Sequence, residues 1–116
     1  RQHDAGVMTV GDGTVSDRVP LTAGTAEDHR QYSCHRDCTN MFTSDITIFA
    51  TAPHMHNVGR AIWTTHSRNG NFLGEISRKE YWSGGFQSLI QRHEPVVVRP
   101  GDTMNVHCVF DTSKSS

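Results

Sequence analysis

His54 and His56 stand apart from the other histidines of the chain because a single residue, Met55, separates them. Two residues along an extended strand advance the backbone by about 6.6 Å, and both side chains leave from the same face. Two neutral imidazoles so placed can converge on one metal ion, while Met55 points the other way and serves packing. Imidazole nitrogen suits zinc, copper, iron and nickel alike, so the pair implies a transition metal without naming it. Two histidines leave a coordination sphere incomplete, so a further protein ligand or several waters are required. Without metal, the same triplet reads as two solvated histidines near a strand end. His3, His29, His35, His66, His93 and His107 share no comparable spacing and are expected to be ordinary surface groups. His66 in particular is expected to be exposed in a hairpin.

The second group with chemistry is Cys34, Cys38 and Cys108. An odd count in a secreted protein implies a partner outside the segment or a free thiol. Three reduced, buried thiols in a reducing compartment are the plain alternative.

The elements that must position these residues read as short strands between turn signals, which favours an all-β sandwich over a βαβ fold. Asp45 to His56 is the clearest strand: Ile46, Ile48, Ala50, Ala52, His54 and His56 share one parity, and Thr47, Phe49, Thr51, Pro53 and Met55 the other. Pro53 cannot donate to a ladder and implies an edge or bulge, which would change the facing. Arg60 to Ser67 and Phe72 to Arg78 flank Asn69-Gly70, a strong hairpin signal because both turn positions need positive φ. Thr103 to Phe110 alternates, with Met104, Val106, Cys108 and Phe110 inward and Thr103, Asn105 and His107 outward. Arg99-Pro100-Gly101-Asp102 is a turn before it. Val7 to Val10, Arg18 to Thr22, His29 to Ser33, Phe86 to Gln91 and Pro95 to Val98 are further strand candidates. Asp12-Gly13 is a turn signal and Ala23 to Asp28 a loop. Cys34 to Phe42 reads as a loop or one helical turn, and Thr112 to Ser116 as a loose polar end.

The 116 residues suit a single domain, 1–116, and 34% hydrophobic content implies a modest core. A formal net charge of −1 and the lack of basic blocks interleaved with aromatics leave no nucleic-acid footprint. No apolar run is long enough for a membrane span. The polar start at Arg1 to Asp4 shows no signal-peptide pattern, as a mature or internal fragment also would not. No Asn-x-Ser/Thr acceptor occurs.

Four stretches in order resemble the second copper domain of the copper type II ascorbate-dependent monooxygenases, in the dopamine beta-monooxygenase-like branch. They are Asp4-Ala-Gly-Val-Met-Thr-Val-Gly11, Tyr32-Ser-Cys-His-Arg-Asp-Cys-Thr39, Ile46-Thr-Ile-Phe-Ala-Thr-Ala-Pro-His-Met-His-Asn-Val-Gly-Arg60 and Pro100-Gly-Asp-Thr-Met-Asn-Val-His-Cys-Val-Phe110. The resemblance implies a jelly-roll-type β-sandwich of antiparallel strands, one copper ion in this domain held by His54 and His56, and a methionine ligand beyond Ser116. It implies a parent with a first copper domain, using dioxygen and ascorbate to hydroxylate an activated C–H bond of a small, amine-like substrate. By the same resemblance Cys34, Cys38 and Cys108 pair with cysteines outside the segment, rather than Cys34 with Cys38. The location expected is secreted, extracellular or the lumen of a secretory vesicle. The segment alone is expected to be inactive.

There are departures. Ala52 stands where the peptide-amidating branch carries an arginine for a substrate carboxylate, which disfavours a carboxylate-anchored peptide. Trp82, Gly84 and Gly85 fall where the amine branch is richer in histidine. Two other readings compete. A non-catalytic extracellular β-sandwich, acting in assembly or adhesion, would keep the fold and even the metal. A cupin-like metal enzyme would need a glutamate shortly after the histidines, and Asn57 to Thr65 contains no acid.

Overall fold

The computed structural model describes residues 4–11, 20–80 and 89–114. Over these the chain forms six strands and one short helix: β1 (Asp28–Cys34), α1 (Arg36–Thr39), β2 (Ile46–Thr51), β3 (Gly59–Arg68), β4 (Asn71–Lys79), β5 (Ile90–Val98) and β6 (Thr103–Phe110). They build two antiparallel sheets, a four-stranded one in the order β1-β6-β3-β4 and a two-stranded one of β2 and β5. The all-β, sandwich-type architecture expected from the sequence is therefore present.

The β3–β4 hairpin turns at Asn69 and Gly70, with φ of 52° and 79°. These are the two positive angles that a two-residue hairpin of right-handed twist requires. β6 follows a turn with Pro100 at its first central position and Gly101, at φ 89°, at its second; the Asp102 amide closes it on the Arg99 carbonyl at 3.0 Å. β6 alternates as its sequence demands, with Met104, Val106 and Cys108 buried. His107 lies on the opposite face, stacked parallel on its cross-strand partner Trp63 with ring centroids 5.2 Å apart. Arg78 covers the same indole, 4.9 Å from its centroid.

Ile62, Val106, Cys108 and Met55 form one core cluster, against which Val10, Tyr32 and Phe110 pack. Ile76, Val98 and Met104 form a second, joined by Ile48, Val96, Cys34 and Phe42, and this cluster binds the small sheet to the large one. Full burial of a Val or Met side chain is worth about 1.5–3 kcal/mol, and Val98 and Met104 reach it, at 0% and 1% exposure.

Several sequence expectations are corrected. Val7 to Val10 forms no strand; Val7 is 97% exposed, and only Val10 reaches the core. Pro20 to Thr22 is not strand either, while Arg18, Val19 and the Asp12-Gly13 turn lie outside the described residues. Phe86 to Ser88 lie outside as well, as do Trp82, Gly84, Gly85, His3 and the last two residues. Residues 90–91 and 95–98 belong to one strand, β5, that is bulged. Its pairing with β2 steps from Ile48↔Val96 to Ala50↔Gln91, and Pro95 sits in the unpaired stretch between, where no ladder donor is missed. Cys34 to Phe42 resolves into the strand end, α1 and a turn.

Candidate metal centre

β2 ends at Thr51, five residues short of the expected His56. Pro53 explains the stop, since it offers no amide for a ladder. The change of facing comes at the end of β2, after Ala50. Along β2 the even positions Ile46, Ile48 and Ala50 turn inward and Thr47 and Phe49 outward; Thr51 is covered next to Ala50, and from there the odd positions Thr51, Pro53 and Met55 are the covered ones. The simple alternation, which places both histidines with Ile46 and Ile48, is thus inverted. Met55 enters the core at 4% exposure, and His54 and His56 face solvent.

The two imidazoles lie side by side, with centroids 5.3 Å apart and planes at 88°. Two features hold them there. Met55, between them, is anchored among Ile62, Val106 and Cys108. Gly59, buried at the head of β3, then lets the chain double back: its amide donates to the His56 carbonyl at 2.8 Å. A Cβ at Gly59 would stand 2.8 Å from Met55 Cβ, 2.9 Å from Cε and 2.9 Å from Sδ. Only a residue without a side chain leaves the methionine its place. Gly59 carries no signal in the sequence alone beyond opening a strand.

Among the described residues no third histidine, cysteine, aspartate or glutamate joins the pair. The local donor set is therefore nitrogen only. That suits copper or zinc and not the oxygen-seeking calcium or magnesium. Exposed rings on an irregular segment leave room for further ligands and for a small molecule.

His66 overturns the expectation of a surface residue. It is 4% exposed, and its Nε2 donates to Asp102 Oδ2 at 2.7 Å. Asp102, 1% exposed, also accepts from Arg68 Nε at 2.7 Å, Arg68 Nη2 at 2.8 Å and the Arg99 amide at 2.8 Å. Arg68, with the Arg99 amide and His66 after it, holds the Asp102 carboxyl far below the ordinary carboxylate range against the opposing effect of burial. The carboxylate is thus ionised, and His66 Nε2 must carry the proton. The signal was available: His66 shares parity with Ile62 and Thr64 on β3, and all three pair with inward positions of β6. His29 behaves as expected, exposed and 2.7 Å from Glu27, and His35 caps α1 through its side chain.

Cys108 points into the core as read. Cys34 and Cys38 come together, the Cys34 thiol donating to Cys38 Sγ at 3.2 Å. Burial, and then the neighbouring Cys38 thiol, push Cys34 up to about 11.

Residues 3–116 match the family model described as "Copper type II ascorbate-dependent monooxygenase, C-terminal domain". Curated relatives include a tyramine beta-hydroxylase of Caenorhabditis briggsae, 36% identical over 117 positions that cover all of this chain and 20% of that protein. The dopamine beta-hydroxylase of Rattus norvegicus is 32% identical over 68% of this chain and 13% of its own length. DBH-like monooxygenase protein 1 of Gallus gallus is 28% identical over 97% of this chain and 19% of its own. The chain spans about a fifth of the length of such relatives. With a nitrogen-donor pair in a two-sheet β fold and a family match along nearly its whole length, the chain belongs to the copper type II ascorbate-dependent monooxygenases, as their C-terminal domain.

Proposed function

We propose that residues 1–116 are the second copper domain of a longer, secreted monooxygenase that hydroxylates an activated C–H bond of a small amine, with His54 and His56 as two ligands of one copper ion. The observation that supports this most directly is the pair of adjacent, solvent-facing imidazoles 5.3 Å apart, backed by a buried Met55. Copper bound there would supply activation of dioxygen, with ascorbate as the source of electrons. The chain's own contribution is positional. Met55 and Gly59 fix the backbone between and after the ligands, and the rings stay open to small molecules. A methionine thioether from outside the chain is proposed as the third protein ligand; a soft donor favours Cu(I). The relatives named for tyramine and dopamine support an arylethylamine-like substrate. Ala52 supplies no cation for a substrate carboxylate. The other copper domain of the same parent is proposed as the partner that passes electrons.

The test uses the intact protein. His54→Ala and His56→Ala should each lose the copper of this domain, measured by Cu(I) competition titration, and abolish hydroxylation. Variants that keep both full copper content and turnover would overturn the assignment.

One observation favours a second reading, a non-catalytic assembly or adhesion module: among the described residues no third histidine, cysteine, aspartate or glutamate joins the pair. A parent without the methionine and the first copper domain would decide for it.

A further inference from the structure

On another part of the molecule, α1, the β3–β4 turn and the β5–β6 turn meet around a cleft of about 210 Å³. Its walls carry three arginines, Arg36, Arg68 and Arg99, and one acid, Asp102. Three guanidiniums in one cleft stand out in a chain whose formal net charge is −1.

The acid does not balance them. Asp102 is 1% exposed, and its carboxylate is taken up by Nε and Nη2 of Arg68, by His66 and by the Arg99 amide. Arg68 and Asp102 therefore cancel, and two arginines remain. Arg36 makes no ion pair among the described residues. Among the described residues Arg99 pairs only with Asp45, at 3.9 Å, with the two side chains 59% and 55% exposed. Such a contact is weak and screened by salt.

The cleft is also built, in that its walls are held by bonds in which neither free guanidinium takes part. Thr39, fully buried, donates through Oγ1 to the Asp102 carbonyl at 2.6 Å and accepts from the Gly101 amide at 3.0 Å. α1 is thereby fixed to the β5–β6 turn, and the Arg68–Asp102 pair fixes the hairpin to the same turn. Walls set in advance lower the ordering cost of binding. A guanidinium presents paired N–H donors that match the oxygens of a tetrahedral anion, so two of them lining one cleft favour such a group over chloride.

We propose that this cleft is an oxyanion site, which takes a sulfate or phosphate group between Arg36 and Arg99, with Arg68 held as a rigid wall. The group is either a free anion or part of a larger ligand such as a sulfated oligosaccharide. The site is separate from the histidine pair and stands whether or not copper binds there.

Calorimetric titration of the intact protein tests this, with inorganic sulfate, inorganic phosphate and a sulfated hexasaccharide as probes at ionic strength held constant with sodium chloride. Saturable binding of the inorganic anions, weakened about tenfold by Arg36→Gln and by Arg99→Gln, establishes a free-anion site. Saturable binding of the hexasaccharide alone, with the same losses, establishes the group on a larger ligand. Asp45→Asn removes the carboxylate that competes for Arg99 and should tighten binding about twofold. All three side chains are exposed, so the melting temperature without anion should not move. No saturable binding by any probe, or an affinity unchanged in both arginine variants, overturns the proposal.

Discussion

The imidazole pair depends on two residues that bind nothing. Met55 sits in the core between the two histidines, and Gly59 leaves it room. Gly59→Ala should therefore act twice. Forcing a methyl group against Met55 costs about 1–3 kcal/mol, as overpacking does. The displaced methionine should also turn the two rings and weaken Cu(I) binding. A melting curve together with a Cu(I) competition titration checks both; an unchanged copper affinity in a destabilised variant would show that Gly59 serves stability alone. The packing role of Met55 was legible in the sequence, because on an extended segment the residue between two histidines of one face points away from them. The role of Gly59 was not, because it arises from a contact across a turn whose path the sequence does not state. His66 differs for another reason: a place near a hairpin suggests exposure, but its parity with Ile62 sets it inward.

Elements were legible where local rules act alone. Asn69-Gly70 and Pro100-Gly101 both turn where their backbone preferences demand, and β6 runs from Thr103 to Phe110 as its alternation indicates. β2 and β5 were less so, since their bulges come from pairing across the sheet and not from either strand by itself. The His66–Asp102–Arg68 cluster joins two of the well-read elements, the β3 end and the β5–β6 turn. Asp102→Ala should cost about 3–5 kcal/mol, because it leaves Arg68 without its counter-charge and His66 without its acceptor. The pH dependence has a definite sign. The folded Asp102 carboxyl titrates well below its ordinary 3.8, so between those values the unfolded chain binds the proton and the folded one does not. Its stabilisation is complete above about pH 5 and is lost as pH falls through the folded value. Urea unfolding of the protein and of Asp102→Asn from pH 7 to pH 2 should show a gap that is constant at first and narrows in acid. A gap independent of pH would contradict the ion pair.

For the whole molecule, the family and the two-sheet architecture could be read from four ordered stretches, but the assembly around them could not. The chain spans about a fifth of its relatives' length, and the cysteines are where that bears on experiment. Cys34 and Cys38 lie 3.2 Å apart through their sulfurs, while Cys108 is buried in the core. A non-reducing peptide map of the intact protein should place each of the three in a bridge to a cysteine outside this chain. A Cys34–Cys38 bridge would refute that pairing. The change of facing after Ala50 has one more consequence. Whether the imidazoles meet solvent or the apolar layer depends on how many residues lie between Ala50 and His54, not on which they are. Covered and exposed positions alternate from Thr51 to His56, so deleting or inserting a single residue there should exchange the facing of the imidazoles and of Met55. In this stretch a change of spelling is tolerable, and a change of length erases the site.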